Sequence, residues 1–497
     1  MLRWGAIVFG SLALAGAAQA ADGPKVKVES GTLVGAQTDR ARIFRNVPYA
    51  APPVGDLRWA PPKKPAAWSG ERDATVNGPS CPQKMNADGT PNEGSANGAT
   101  SEDCLQLNVF APLEAKKAPV MVWLHGGGHK TGAGWIYDGQ NFARDGVVLV
   151  AINYRLGPLG YFAHPALGKA QGGNYGLMDQ VAALQWVKRN IAAFGGDPSN
   201  VMIFGESAGG ASTLALLAAP AAKGLFNKAA VQSGGGWSPP ETLAQKQDEG
   251  AALAGKFGAR DLAQLRALPA QTLADEGAGV DYGPFVDGRL LKETPAQAFA
   301  AGREADVPLI IGANSGEDSL LGRRLPDAAA MAAAIPASVK TAYPDDAAKG
   351  DEALVRAAFG DRYMVGPARW LAGQAAGGKP AWLYHFSYVG SRFRPMGVTT
   401  AAHAAEIQYV FEYWGRRTPL SMVAADDRAM ADLMHGCWVA FAKTGAPTCA
   451  ITWPAYDRER DELVEFGATS GVQARFRKRQ LDAQEEAALP SLALPEN

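Results

Sequence analysis

The apolar positions fall into short unbroken runs separated by stretches of helical period. "APVMVWLHGGG" (118–128), "GVVLVAINYRLG" (146–157), "NVMIFG" (200–205), "FNKAAVQSG" (226–234), "VPLIIGAN" (307–314) and "AWLYHFSY" (381–388) each hold an apolar core bounded by glycine or polar residues. Such runs read as strands buried on both faces, the mark of a parallel sheet. Between them, "NYGLMDQVAALQWVKRNIAAFGG" (174–196) sets Leu177, Val181, Leu184, Val187 and Ile191 on one helical face, and Gly195-Gly196 stop it. "KVKVESGTLV" (25–34) alternates and predicts one half-exposed strand, while the prolines of 45–62 predict an extended loop. Regions 238–306 and 327–380 read as helices decorating the sheet. There is no internal repeat and no Pro- or Ser-rich tether. The pattern predicts an α/β chain with a mostly parallel central sheet, helices on both faces and helical insertions, as one domain over 21–497.

Composition narrows the function. The chain has 497 residues, 47% of them apolar and 20% charged, with a net charge of −1. That balance leaves no basic footprint for nucleic acid or an anionic membrane. The first twenty residues carry Arg3, an apolar run and Ala18-Gln19-Ala20, the order of a secretory signal peptide cut after Ala20. The expectation is export to the periplasm or medium, with no membrane anchor left after cleavage. Four cysteines, Cys81, Cys104, Cys437 and Cys449, then suggest disulfides, although four allow three pairings. The first two bracket a loop rich in Gly, Asn and Ser; the last two flank a helix end and turn.

The candidate chemistry centres on "MIFGESAGGAS" (202–212), which contains Gly-Glu-Ser-Ala-Gly. With 58 glycines in the chain, chance alone supplies such a pattern at roughly a few tenths per sequence, so its flanks must decide. They are an apolar strand before and a strong helix former after, with glycines at the turn. That is the context of a nucleophile elbow, with Ser207 at a helix N-terminus. Of six histidines, His385 and His435 sit in apolar elements, His164 in a loop, and His125 and His129 upstream of the serine. His403 follows the strand 381–388, and the chain order serine, acid, histidine singles it out as the base. For the acid, Glu317 and Asp318 both lie just past the apolar strand of 307–314, and position leaves them even; Asp287 is a rival in a turn. The glycines after His125, together with the N–H of Ala208, could form an oxyanion hole. The reading calls for no cofactor and no metal.

Taken together, "NVPYAAPPVGDLRW", "SEDCLQLNVFAP", "VWLHGGG", residues 174–210, "VDGRLLKETPAQAF", "GANSGEDS", "HAAEIQYVF" and "WVAFAKTGAPT" resemble the type-B carboxylesterases. They run in family order over nearly the whole chain. The resemblance implies an α/β-hydrolase fold and hydrolysis of small-molecule esters. It implies Ser207 as nucleophile, Glu317 rather than Asp318 as acid, His403 as base, and N–H donors from Gly127, Gly128 and Ala208. It also implies a Cys81–Cys104 disulfide and supporting roles for Glu206 and Ser233. A Cys437–Cys449 bridge is not a general family feature. His129 departs from the bulky aromatic usual after the glycines, and the Cys81–Cys104 loop lacks the aromatic of a choline site. Two other readings, a non-catalytic binding protein and a serine amidase or peptidase, share the fold. The sequence carries no signal for an oligomeric state.

Overall fold

The computed structural model describes residues 23–84, 96, 98–168, 172–277, 280–375, 377–415 and 418–494. The expected signal peptide lies outside the described residues, as does most of the Gly/Asn/Ser-rich loop between Cys81 and Cys104.

The alternating stretch 25–34 is a hairpin rather than one strand: β1 (Lys25–Val28) and β2 (Gly31–Val34) pair antiparallel, with Val28 opposite Gly31. Glu29 and Ser30 make a two-residue connection, and the run Glu29-Ser30-Gly31-Thr32, which interrupts the alternation before the adjacent Leu33 and Val34, is the turn signal that marks it. The following strands are β3 (Ala36–Gln37), β4 (Arg42–Pro48), β5 (Glu71–Asp73), β6 (Gln106–Ala111), β7 (Ala118–Leu124) and β8 (Val148–Ile152). The rest are β9 (Gly196–Glu206), β10 (Lys228–Gln232), β11 (Leu309–Asn314), β12 (Ala381–Phe386), β13 (Glu462–Phe466) and β14 (Gly471–Ala474). β1, β2 and β5 form a small sheet, and the others an 11-stranded sheet ordered β14-β13-β12-β11-β10-β9-β7-β8-β6-β4-β3. From β8 to β13 every neighbouring pair is parallel, whereas both margins are antiparallel.

Alternation along each strand divides the core between the two faces. Val120 and Val122 of β7 pack into one cluster with Leu177, Trp186 and Leu214; Met121 and Trp123 pack into another with Phe142, Phe204 and Trp438. The helices Tyr175–Asn190 and Ala208–Ala218 cover the first face, and the helix Ala425–Thr444 covers the second. All five predicted positions on the 174–196 face are buried, and Gly195, at φ +89°, ends the segment in a left-handed turn. Residues 45–48 of the loop expected over 45–62 belong instead to β4, and the prolines keep 49–62 irregular apart from one turn of 3-10 helix at Gly55–Leu57.

Both disulfides are present, Cys81–Cys104 and Cys437–Cys449. The second ties the helix Ala425–Thr444 to the turn that follows it. No described helix is long and apolar enough to cross a membrane.

The topology fixes where a site can be. Parallel strands present all their carboxyl ends on one side, and loops there converge. His125–Gly128 follow β7, Ser207 follows β9, Ser233 follows β10 and Glu317 lies just past β11. A bridge between Gly316 and Ala402 brings the His403 segment to the same end.

Candidate active site

Ser207 occupies a turn of no length: β9 ends at Glu206 and the helix begins at Ala208. Its backbone stands at φ +56°, ψ −122°, a region that non-glycine residues rarely adopt. The Ser207 N–H donates to the Gln232 carbonyl at 2.8 Å, and its own carbonyl accepts from Ala211 N–H at 2.8 Å. The turn can be this tight because helix and sheet touch at Gly209, where a Cβ would lie 1.9 Å from the Leu124 carbonyl oxygen.

His403 is held by carboxylates on two sides. Its Nδ1 is hydrogen-bonded to Glu317 Oε2, and its Nε2 lies 3.1 Å from Glu206 Oε1. Glu206 is the residue next to Ser207, so the imidazole stands against the elbow. Glu317 is itself fixed: its Oε1 accepts from Ser233 Oγ–H at 2.6 Å and Asn314 N–H at 2.8 Å. The His403 N–H donates to Ser319 Oγ at 2.9 Å. Burial opposes a charge on His403, but the Glu206 carboxylate and then the Glu317 hydrogen bond override it and raise the imidazole to about 9.

A third acid, Glu406, is completely buried behind this pair. Its oxygens accept from Gln232 Nε2–H at 2.8 Å and Asn314 Nδ2–H at 2.6 Å, while burial raises its pKa. Sequence reasoning missed Glu406, Asn314 and Gln232 as parts of one network. The signal available was a glutamate three residues past His403, within one turn.

The glycine run lies alongside the elbow. A Cβ on Gly126 would sit 2.7 Å from Glu206 Oε2 and 3.2 Å from Ser207 Cβ. Among the described residues the N–H groups of Gly127 and Gly128 have no acceptor, and that of Ala208 is at a helix start, where no intrahelical acceptor exists. These three groups, which sequence reasoning expected to act together, end at the same edge of the sheet.

The rival residues have structural partners. Asp318 pairs with Arg356 at 3.5 Å. Asp287 caps its own turn, accepting from the N–H groups of Arg289, Leu290 and Leu291, and also from Asn174. Burial pushes His125 and His385 down to about 4. His164 caps a short turn through Ala166 N–H. His435 meets Asp145 at 2.9 Å. With Glu412 these two are close enough to hold a cation, but Arg144 already bridges Asp145 and Glu412 at 2.7 Å each.

A mostly parallel sheet carrying a serine on a strand–helix turn at its carboxyl end is the architecture of the α/β hydrolases. The Carboxylesterase family profile matches residues 22–484, and the chain belongs to that family. It is a carboxylic-ester hydrolase. It is 35% identical to a fumonisin B1 esterase from Sphingopyxis macrogoltabida over 93% of this chain and 90% of that protein. It is likewise 35% identical to a para-nitrobenzyl esterase from Bacillus subtilis, over 88% of this chain and 94% of the relative. A solved para-nitrobenzyl esterase structure superposes with a TM-score of 0.81 at 32% identity, covering 93% of this chain and 99% of that one.

Proposed function

We propose that this chain is an exported serine esterase in which Ser207 is the nucleophile, His403 the general base and Glu317 the orienting acid. The observation that carries the reading is the strained Ser207 turn beside an imidazole whose other nitrogen is bound to buried Glu317. His403 takes the hydroxyl proton at Nε2 as Ser207 Oγ attacks the ester carbonyl. The new oxyanion is received by the N–H groups of Gly127, Gly128 and Ala208. His403 then gives the proton to the leaving alcohol. A water, deprotonated by the same imidazole, attacks the acyl-Ser207 ester, and the imidazolium returns that proton to Ser207 Oγ as the acid is released. Glu317 orients the ring and stabilises the imidazolium, and Ser233 holds Glu317 in place.

The substrates are small-molecule carboxylic esters, as the names of the para-nitrobenzyl and fumonisin B1 esterases suggest. Replacing Ser207 by Ala is expected to lower turnover of a p-nitrophenyl ester on the order of 10⁶-fold. A phosphonate ester should label the wild type once, at Ser207. Near wild-type turnover by the variant overturns the assignment. For export, the two disulfides are the supporting feature, since such bonds persist in oxidising compartments. The mature protein recovered outside the cytoplasm should begin at Ala21, and an intact Met1 would refute cleavage.

A further inference from the structure

Three left-handed residues follow in sequence at the end of the glycine run: Gly127 at φ +108°, Gly128 at +61° and His129 at +55°. Glycine enters this region freely, whereas histidine stays there only when its surroundings hold it. Here the hold is complete. The His129 carbonyl accepts from Gly157 N–H at 2.6 Å, and the ring is buried. Its Nε2 lies 2.9 Å from Ser212 Oγ, one turn along the helix from Ala208. The other edge faces the segment around residue 282. The Tyr282 backbone carbonyl is hydrogen-bonded to the ring, and a Cβ on Gly283 would lie 3.1 Å from Nδ1.

Burial pushes His129 down to about 4, so the ring is neutral and has one N–H. The Tyr282 and Ala208 carbonyls both face the ring, and a single proton serves only one of them, so Nε2 accepts from the Ser212 hydroxyl in one tautomer and donates to it in the other. The Ser212 oxygen in turn accepts from Gln180 Nε2–H at 3.0 Å. The turn itself is pinned as well. The Gly127 carbonyl accepts from the N–H groups of Lys130 and Thr131 at 3.0 Å each, and from Thr131 Oγ1 at 3.2 Å. In a trans peptide the following N–H points the opposite way, so these bonds aim the Gly128 N–H.

We propose that His129 is a positioning residue. Clamped between Ser212 on the Ser207 helix and the Tyr282 carbonyl, it keeps the Gly127–Gly128 turn at a fixed distance from that helix, so that the Gly128 and Ala208 N–H groups meet one oxyanion. The inference rests on the proposed role of Ser207. His129 touches no reacting atom and acts through Gly128 and the helix. It also forms a wall of a cavity of about 260 Å³ lined by Leu214, Gly234, Phe285 and Leu291, and mere wall-making is the alternative to be separated.

The test uses the mature chain carrying Ser212→Ala, His129→Phe, both together, or His129→Asn. Asparagine tolerates the left-handed backbone and keeps a side-chain donor. The readouts are kcat and KM for p-nitrophenyl butyrate, and the Ki of a trifluoromethyl ketone, which becomes an oxyanion when Ser207 adds to it. Ser212→Ala and His129→Phe should each lower kcat roughly 10- to 100-fold, the range of a weakened oxyanion donor, with KM within about threefold. Ketone affinity should fall in step. The double variant should be no slower than the worse single, because one contact is lost in both. His129→Asn should recover part of the loss. Unchanged kcat and ketone affinity in Ser212→Ala overturn the proposal whether or not His129→Phe folds, as do additive losses. A raised KM at constant kcat overturns it in favour of the cavity wall. Wild-type kcat in these variants beside an inert Ser207→Ala defeats only the clamp; an active Ser207→Ala defeats the reading beneath it.

Discussion

Glu206→Gln removes one charge facing His403 while leaving size and hydrogen-bonding shape nearly unchanged. Glu206 Oε1 is 3.1 Å from His403 Nε2, and both residues are shielded from solvent. Two unit charges about 4 Å apart at an effective dielectric of about 20 interact by about 4 kcal/mol, or about three pH units. Glu206 shares the imidazolium with Glu317, and water in the cleft screens part of the field, so a downward move of about one to two pH units is expected. The sign follows from the proposed base role: a base works only when deprotonated, so activity is expected to fall as pH drops through the pKa of His403. The wild type, with His403 raised to about 9, should show the acid limb of kcat/KM at mildly alkaline pH. In Glu206→Gln that limb should come down towards neutrality, making the variant relatively more active than the wild type at low pH. The assay is kcat/KM for a p-nitrophenyl ester from about pH 5.5 to 10, which reports the free enzyme. An acid limb within about 0.3 pH units of the wild type, or one displaced upward, would refute the electrostatic reasoning.

Gly209→Ala should reverse the usual trend. Alanine ordinarily stabilises a helix by about 1 kcal/mol over glycine, but here its Cβ would meet the Leu124 carbonyl at 1.9 Å. A loss of about 3 kcal/mol in urea unfolding, with activity lost alongside, is the expected outcome; unchanged stability would refute the contact. The two disulfides should both matter, the longer loop slightly more. Cysteines 23 and 12 residues apart imply about 3 kcal/mol each in the chain-entropy account, with the Cys81–Cys104 bridge ahead by about 0.6 kcal/mol. Paired Cys→Ser variants followed by urea denaturation check the ranking, and free thiols in the denatured wild type would refute both bridges.

Much of the molecule was legible because its determinants are local. The buried strands announce themselves as apolar runs, and the elbow as glycines between a strand and a helix. The hairpin at 25–34 was read as one strand although Glu29-Ser30-Gly31-Thr32 interrupts the alternation there. Nor could the spacing of residues choose between Glu317 and Asp318, which are adjacent. What separates them is direction: one carboxylate turns inward to Ser233, Asn314 and His403, the other outward to Arg356. Glu406 and His129 act across elements far apart in sequence, and no local pattern marks such contacts. The expected departure at His129 proved to be a buried ring facing Ser212 and the carbonyls of Tyr282 and Ala208.

Histidine environments supply the criterion that chain order could only approximate. His125, His129 and His403 all lie at the carboxyl end of the sheet, and all are buried or nearly so. Burial alone disfavours a charged imidazole, and the first two accordingly fall to about 4. Their hydrogen-bond partners are backbone carbonyls and a hydroxyl, which orient a neutral ring without charging it. His403 has carboxylates at both nitrogens and moves the other way, to about 9. Only a ring whose proton is stabilised by fixed negative charge can accept one from a serine hydroxyl as the bond to carbon forms. A ring pushed to 4 can hold the scaffold still through that event, because its protonation does not change across the working range. The same side chain type thus divides into the proposed base and two buried neutral rings, and the division is made by the strand ends that deliver Glu206 and Glu317 to one ring and not to the others.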